Sequence, residues 1–297
     1  MKKIFLTLFL ITGFTNQALA DGFCEGPLGT EKAIESAAGV ITFSGVESSI
    51  GDCSFAPDEY QVTIYEMSLC TSIPTAPTTS SAYDTSSCSI VINSPAGQTV
   101  NMAAGTEVAL TDFTAPPVGT YTHGHMVIGN SFGIKVTKQF TNTMFRYDTS
   151  ATGNYCWTLA DTEHTSDFSG SPTDPTPFAS CGDSGDAAPA MYTEVLDAFG
   201  AGTYNYGPVD VQSGTITAYL VTDSNDRLVN AVKTADRLFG IQVFSTPVEV
   251  KPDSSSFTIS FGVNQATSMQ MSDKGVTDQY KVIAFGSGPF SSFMTVE

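Results

Sequence analysis

The chain has 297 residues and a net charge of −18, from 12 Lys and Arg against 30 Asp and Glu. A surface of that sign repels nucleic acid and anionic lipid headgroups, which excludes nucleic acid as a partner. With 41% hydrophobic residues, among them 20 Phe and 11 Tyr, the composition also excludes a disordered chain and suits one large domain or two smaller ones.

The chain opens on a pattern of export. Lys2 and Lys3 precede an apolar run over residues 4–14, and Ala18-Leu19-Ala20 offers a cleavage site. The apolar run is too short to cross a bilayer, and no later stretch has the length of a transmembrane helix. Residues 1–20 are therefore expected to be a signal peptide and the mature protein to start at Asp21. A secreted protein follows, extracellular or at the cell surface, with the periplasm as the alternative.

Strand signals dominate the rest. Candidates run through residues 39–43, 60–69, 89–93, 125–128, 132–136, 216–220, 241–244, 257–263 and 280–285. Within 60–69 the apolar phase switches from Tyr60-Val62-Ile64 to Tyr65-Met67-Leu69, which predicts a β-bulge. Short helices are expected at 30–38 and 191–199. A third is considered at 228–239, where Leu228, Val232, Ala235 and Phe239 have helical spacing but two strands fit as well. The fold class is all-β: a disulfide-stapled β-sandwich, single or tandem, with one to three short helices. If there are two units, they divide near residue 150 into regions 21–150 and 151–297.

Six cysteines sit beside the least apolar stretches. Cys70 and Cys88 bracket a Ser-, Thr- and Pro-rich run, and Cys156 and Cys181 bracket a second that includes residues 169–175. Cys24 and Cys53 would close the N-terminal segment. Sequential pairing is preferred among fifteen connectivities, each bridge being worth roughly 3 kcal/mol through the unfolded chain. Oxidised thiols fit the exported compartment. Tethered polar loops on a rigid sheet are expected at the surface, where such loops carry recognition.

The phrase Pro117-Val118-Gly119-Thr120-Tyr121-Thr122 resembles the Gly-x-Tyr start of a late strand in bacterial immunoglobulin-like and prealbumin-like surface modules. The resemblance covers about a dozen residues. It implies a sandwich whose corner tyrosine bonds back to the backbone, and a place among surface proteins such as adhesins and pilus subunits.

Three groups of residues were weighed as chemistry. His123 and His125 project to one face of a strand and, with His164, could form a zinc site. Asp223 and Asp226 in a tight turn, or Asp183 and Asp186 with Glu194, could hold calcium, although none matches the twelve-residue calcium loop. Cys181-Gly182-Asp183-Ser184-Gly185 resembles the nucleophile segment of trypsin-like serine proteases. Asp186 replaces the next glycine and no matching histidine segment exists, so that reading fails. No catalytic residue is assigned. The favoured function is a non-catalytic protein acting by contact: a subunit of a filament or surface layer, or an adhesin. Its partners would be other copies, surface proteins or glycans. The alternatives are a zinc-dependent exported enzyme using His123 and His125, and a carbohydrate- or small-ligand-binding module.

Overall fold

Strand formation follows the alternation of the sequence wherever a partner strand covers one face. The structure is a computed structural model and describes residues 23–25, 32–36, 38–44, 51–102, 111, 113–146, 150–165, 179–199, 202–222, 224–231, 234–273 and 279–297. The expected signal peptide and the run at 169–175 lie outside the described residues. In chain order the strands are β1 (Phe23–Glu25), β2 (Lys32–Glu35), β3 (Val40–Ser44), β4 (Gly51–Phe55), β5 (Glu59–Cys70), β6 (Cys88–Met102), β7 (Gly119–Lys135), β8 (Thr137–Arg146), β9 (Thr152–Thr158) and β10 (Asp161–Thr165). There follow β11 (Ala179–Gly182), β12 (Tyr192–Val195), β13 (Asn205–Val211), β14 (Gly214–Val221), β15 (Arg237–Val250), β16 (Phe257–Gly262), β17 (Thr267–Asp273), β18 (Gln279–Ser287) and β19 (Ser291–Val296). No described residue is helical.

One sheet runs β11-β9-β8-β18-β17-β4-β1-β2-β3, and a parallel β3–β8 pairing returns its last strand to β8. A second runs β10-β12-β7-β15-β14-β13, with β5 on the free edge of β7 and β6 beyond it. β16 and β19 form a separate hairpin-like pair. One contiguous core draws on both large sheets, from Phe55, Phe140 and Phe285 to Tyr60, Phe132 and Tyr192. Strands from either side of residue 150 are interleaved in both sheets. The boundary considered there falls between β8 and β9, which pair with each other.

The expected helices at 30–38 and 191–199 are replaced by strands. Lys32–Glu35 and Val40–Ser44 form a hairpin. Gly39, at φ +76°, donates to Ser36 O in its turn, a conformation that glycine adopts without a side-chain clash. Tyr192–Val195 pairs with β7, which buries Tyr192 and Glu194 on alternate positions. In 228–239 no described residue is helical: Leu228 makes an isolated bridge to Val221, and Arg237 starts β15. Sheet pairing overrides weak helical spacing in each case.

Several local expectations are met. Register slips between Ile64 and Glu66 against both β6 and β7, where the apolar phase switches. Cys70–Cys88 and Cys156–Cys181 are disulfides between directly opposed residues, at Cα separations of 3.9 and 4.1 Å. The backbones of Cys24 and Cys53 are also opposed in register, while their side chains lie outside the described residues. Tyr121, buried, donates its hydroxyl to Pro117 O at 2.7 Å and so pins the corner before β7.

The loop between Cys70 and Cys88 does something the sequence does not suggest. The outer face of the second sheet carries an apolar cluster of Val127, Val221, Phe239 and Ile241, and Ala76 and Tyr83 of the loop pack on it. Tyr83 stacks on Phe239 with centroids 4.2 Å apart and planes 4° from parallel. Ala82 bridges Arg227, and Leu228 N donates to Thr78 O. The loop is a cover for sheet rather than a free arm. Tyr83→Ala is expected to cost roughly 1–3 kcal/mol by re-exposing that cluster. The cost should be read as a lower urea midpoint at unchanged slope; an unchanged midpoint would contradict the covering role.

Candidate functional site

Side chains on the inner face of the second sheet are set by register. Opposed positions bring Gly124 beside Leu69 and Gln242, Met126 beside Met67 and Gly240, and Gly240 beside Ala218. Three neighbouring strands thus place Gly124, Gly240 and Ala218 on the face that should fill the interior. A Cβ built on Gly240 meets nothing nearer than Met126 O at 3.8 Å. The space left open is a cavity of about 580 Å³. Its opposite wall comes from Ile259 of β16, Ala284 and Phe285 of β18, the Pro289-Phe290 link and Phe293 of β19. Phe199 and Tyr206, whose rings stack 5.5 Å apart, line the side where Tyr206 is 47% exposed.

The polar lining includes Ser54, Thr217, Ser268 and Gln270, together with two side chains whose partners tie the walls together, Gln242 and Glu194. Gln242 Nε2 donates to Ser213 Oγ (2.6 Å) and Ser292 O (2.8 Å), and its Oε1 accepts from Ser292 N and Oγ (both 3.0 Å). That amide ties β15 to β19 and holds the two walls together. Glu194, on β12 opposite Phe132, is buried and lines the cavity. One of its carboxylate oxygens accepts from Ser287 N. Burial pushes its carboxyl above the ordinary 4.5, and the Ser287 hydrogen bonds oppose that shift. Two positions earlier, Tyr192 donates its hydroxyl to Phe285 O. Tyr60 packs against Phe132 and Phe290, and its buried hydroxyl has no hydrogen-bond partner among the described residues. Burial, with the charge of Glu194, drives both phenols well above their usual range.

The space opens to solvent beside Tyr206, so water reaches it. Water suits the end near Glu194, where polar partners exist, but not the apolar remainder.

His125 belongs to the cavity lining by position, but its ring and that of His123 do not face inward. His123 and His125 share the outer face as the i, i+2 spacing requires. His125 is buried, with Nε2 3.2 Å from Glu66 Oε1 but off the line of a hydrogen bond, and its ring is 5.3 Å from Phe239. His123 is half-buried, with Nδ1 2.7 Å from Thr122 Oγ1, and partial burial lowers its pKa. The backbone of His164 lies opposite Glu194, which lies opposite Phe132. It is therefore two strands over and seven positions along from His125, about 23 Å in strand rise. Its side chain lies outside the described residues.

The acidic turns are likewise separate. Asp223 lies outside the described residues. Asp226 adopts φ 56°, donates its amide to Thr222 O and accepts from Tyr83 N. Asp183 and Asp186 are exposed in a tight turn where Asp183 N donates to Asp186 Oδ2, whereas Glu194 is buried in the cavity. Among the described residues no group of three or more His, Cys, Asp or Glu is arranged to hold a metal. Comparison with family models, curated proteins and solved structures finds no match to the chain.

Sequence reasoning noted Glu194 only as an oxygen donor and passed over Gly124 between its two histidines. The apolar cavity with its single buried acid is the arrangement with chemical consequence. Because the carboxyl is raised on folding, the native state holds more protons than the unfolded chain above about pH 4.5, so stability falls as pH rises through the folded value. Glu194→Gln removes that titration. The variant should exceed the parent in urea stability at pH 8 and match it near pH 4. A variant less stable at pH 8 than at pH 4, relative to the parent, would contradict the burial.

Proposed function

We propose that this is an exported, non-catalytic binding protein, a disulfide-tied β-sandwich that encloses a small, largely apolar molecule between its sheets. The cavity carries the reading. Its volume lies in the range of about 300–1,000 Å³ common to small-molecule sites, and its walls are mainly apolar with a few convergent polar groups. The small-ligand alternative is thereby favoured over a glycan, which would need many more polar partners. A filament subunit or adhesin would share the acidic surface and the disulfides, but has no use for a hollow interior. The zinc-enzyme reading gains nothing from an interior whose one carboxylate, Glu194, is joined by hydroxyls and amides and has no group of three metal-ligating side chains around it among the described residues.

The ligand enters by the side of Tyr206 and displaces the little water the apolar walls hold. Release of that water and dispersion contacts with Phe244, Phe285 and Phe293 drive binding. Titration with N-phenyl-1-naphthylamine, an uncharged apolar fluorophore, should give saturable enhancement at one molecule per chain. Gly240→Leu fills the floor without a positive-φ penalty, since Gly240 is not among the left-handed glycines. It should weaken the fluorophore at least about tenfold while leaving stability unchanged or raised, as cavity filling does. The absence of saturable enhancement with the parent protein would overturn the proposal.

A further inference from the structure

The cavity has a chemical polarity that limits what can occupy it. Its apolar walls converge on a single carboxylate. Ser54, Ser68, Thr217, Ser268 and Gln270 add neutral polar groups to the lining, while the amide of Gln242 is spent on Ser213 and Ser292, and the hydroxyl of the adjacent Tyr192 on Phe285 O. Glu194 is different. A carboxylate has about four acceptor positions, and the partner that meets it is Ser287. Beside its other oxygen lies Gly286, where an added Cβ would stand 3.4 Å from Oε1 and 3.1 Å from Ser268 Oγ. With no side chain at 286, that oxygen can meet a donor from the cavity. No Lys or Arg lines the cavity among the described residues, and the chain as a whole carries −18.

From this geometry we infer that the cavity selects a largely apolar molecule with a hydrogen-bond-donating head, an alcohol or an amine seated at Glu194, and rejects chains headed by a carboxylate. The inference rests on the binding function proposed above and adds the class of ligand. A donor head satisfies the second oxygen of this buried acceptor, which otherwise lacks compensation for its lost hydration. A carboxylate head would bring a second negative charge to the same end, with no cation lining the cavity to offset it. Discrimination of this kind is large, because a buried polar group is either paired or left unpaired. Among the described side chains, Tyr60 and Tyr192 are the titratable groups that face Glu194, and both stay neutral, so neither alters its charge at the pH of the test.

The test is displacement of N-phenyl-1-naphthylamine from the full mature protein at pH 8 by decanol, decylamine and decanoate, which share one chain and differ in the head. Decanol or decylamine should compete at least about tenfold more strongly than decanoate, the scale of one hydrogen bond to a charged group. If decylamine alone shows the preference, the head is read by charge; if decanol matches it, by donation; either supports the inference. Glu194→Gln should bring decanoate to within about threefold of decanol, since an amide neither repels an anion nor demands a donor. Decanoate competing as well as decanol with the parent protein would overturn the inference and leave the cavity reading standing. No displacement by any of the three, from a protein that binds the fluorophore at no saturable site, would overturn both.

Discussion

β7 is hydrogen-bonded along both edges, to β5 over nearly its whole length on one side and to β15 and then β12 on the other. Both of its faces are largely buried as well, yet no helix among the described residues is there to cover either. The inner face of its sheet meets the other sheet and the β16–β19 pair. The outer face is closed by the loop between Cys70 and Cys88, through Ala76 and Tyr83. The disulfide therefore ties down a cover on which the sheet depends. Its entropic effect on the unfolded chain and its packing role in the folded one act together.

The same register that buries β7 also hollows out the space above it. Gly240 and Ala218 lie directly opposite each other, with Gly124 one diagonal step away on the same face, because β7, β15 and β14 pair without slippage at those positions. Large residues surround the gap, among them Met67, Phe244, Phe285 and Phe293. Interiors close to crystal density do not leave such room by default. The walls are prevented from collapsing by the Gln242 amide, whose four hydrogen bonds set β15 against β19 and Ser213. At one end the Glu194 carboxyl is held by Ser287, with no cation beside it among the described side chains, and burial makes its charged form costly.

Local features of this fold were legible in the sequence where their cause is local. The bulge at Tyr65 is written in a phase switch over ten residues. The Cys70–Cys88 and Cys156–Cys181 bridges follow from short cysteine separations around polar runs, and Tyr121 from its corner phrase. The helices expected at 30–38 and 191–199 fail because a hydrophobic residue every third or fourth position also suits a hairpin or a short inner strand, once a partner is supplied. The cavity was illegible for a different reason. Gly124, Ala218 and Gly240 belong to separate strands, and only their register makes them neighbours. Between His123 and His125 the glycine was the residue that mattered to the interior, while the histidines turned to the opposite face.

The account stands on an interior that is hollow and lined for an apolar guest. Anomalous diffraction from crystals soaked with 10-bromodecanol tests it most directly. A bromine peak is expected between the floor at Gly240 and the wall at Phe285, with the hydroxyl toward Glu194. A crystal structure without that peak, in which Phe290 and Phe293 have closed the space over Gly240, would contradict it.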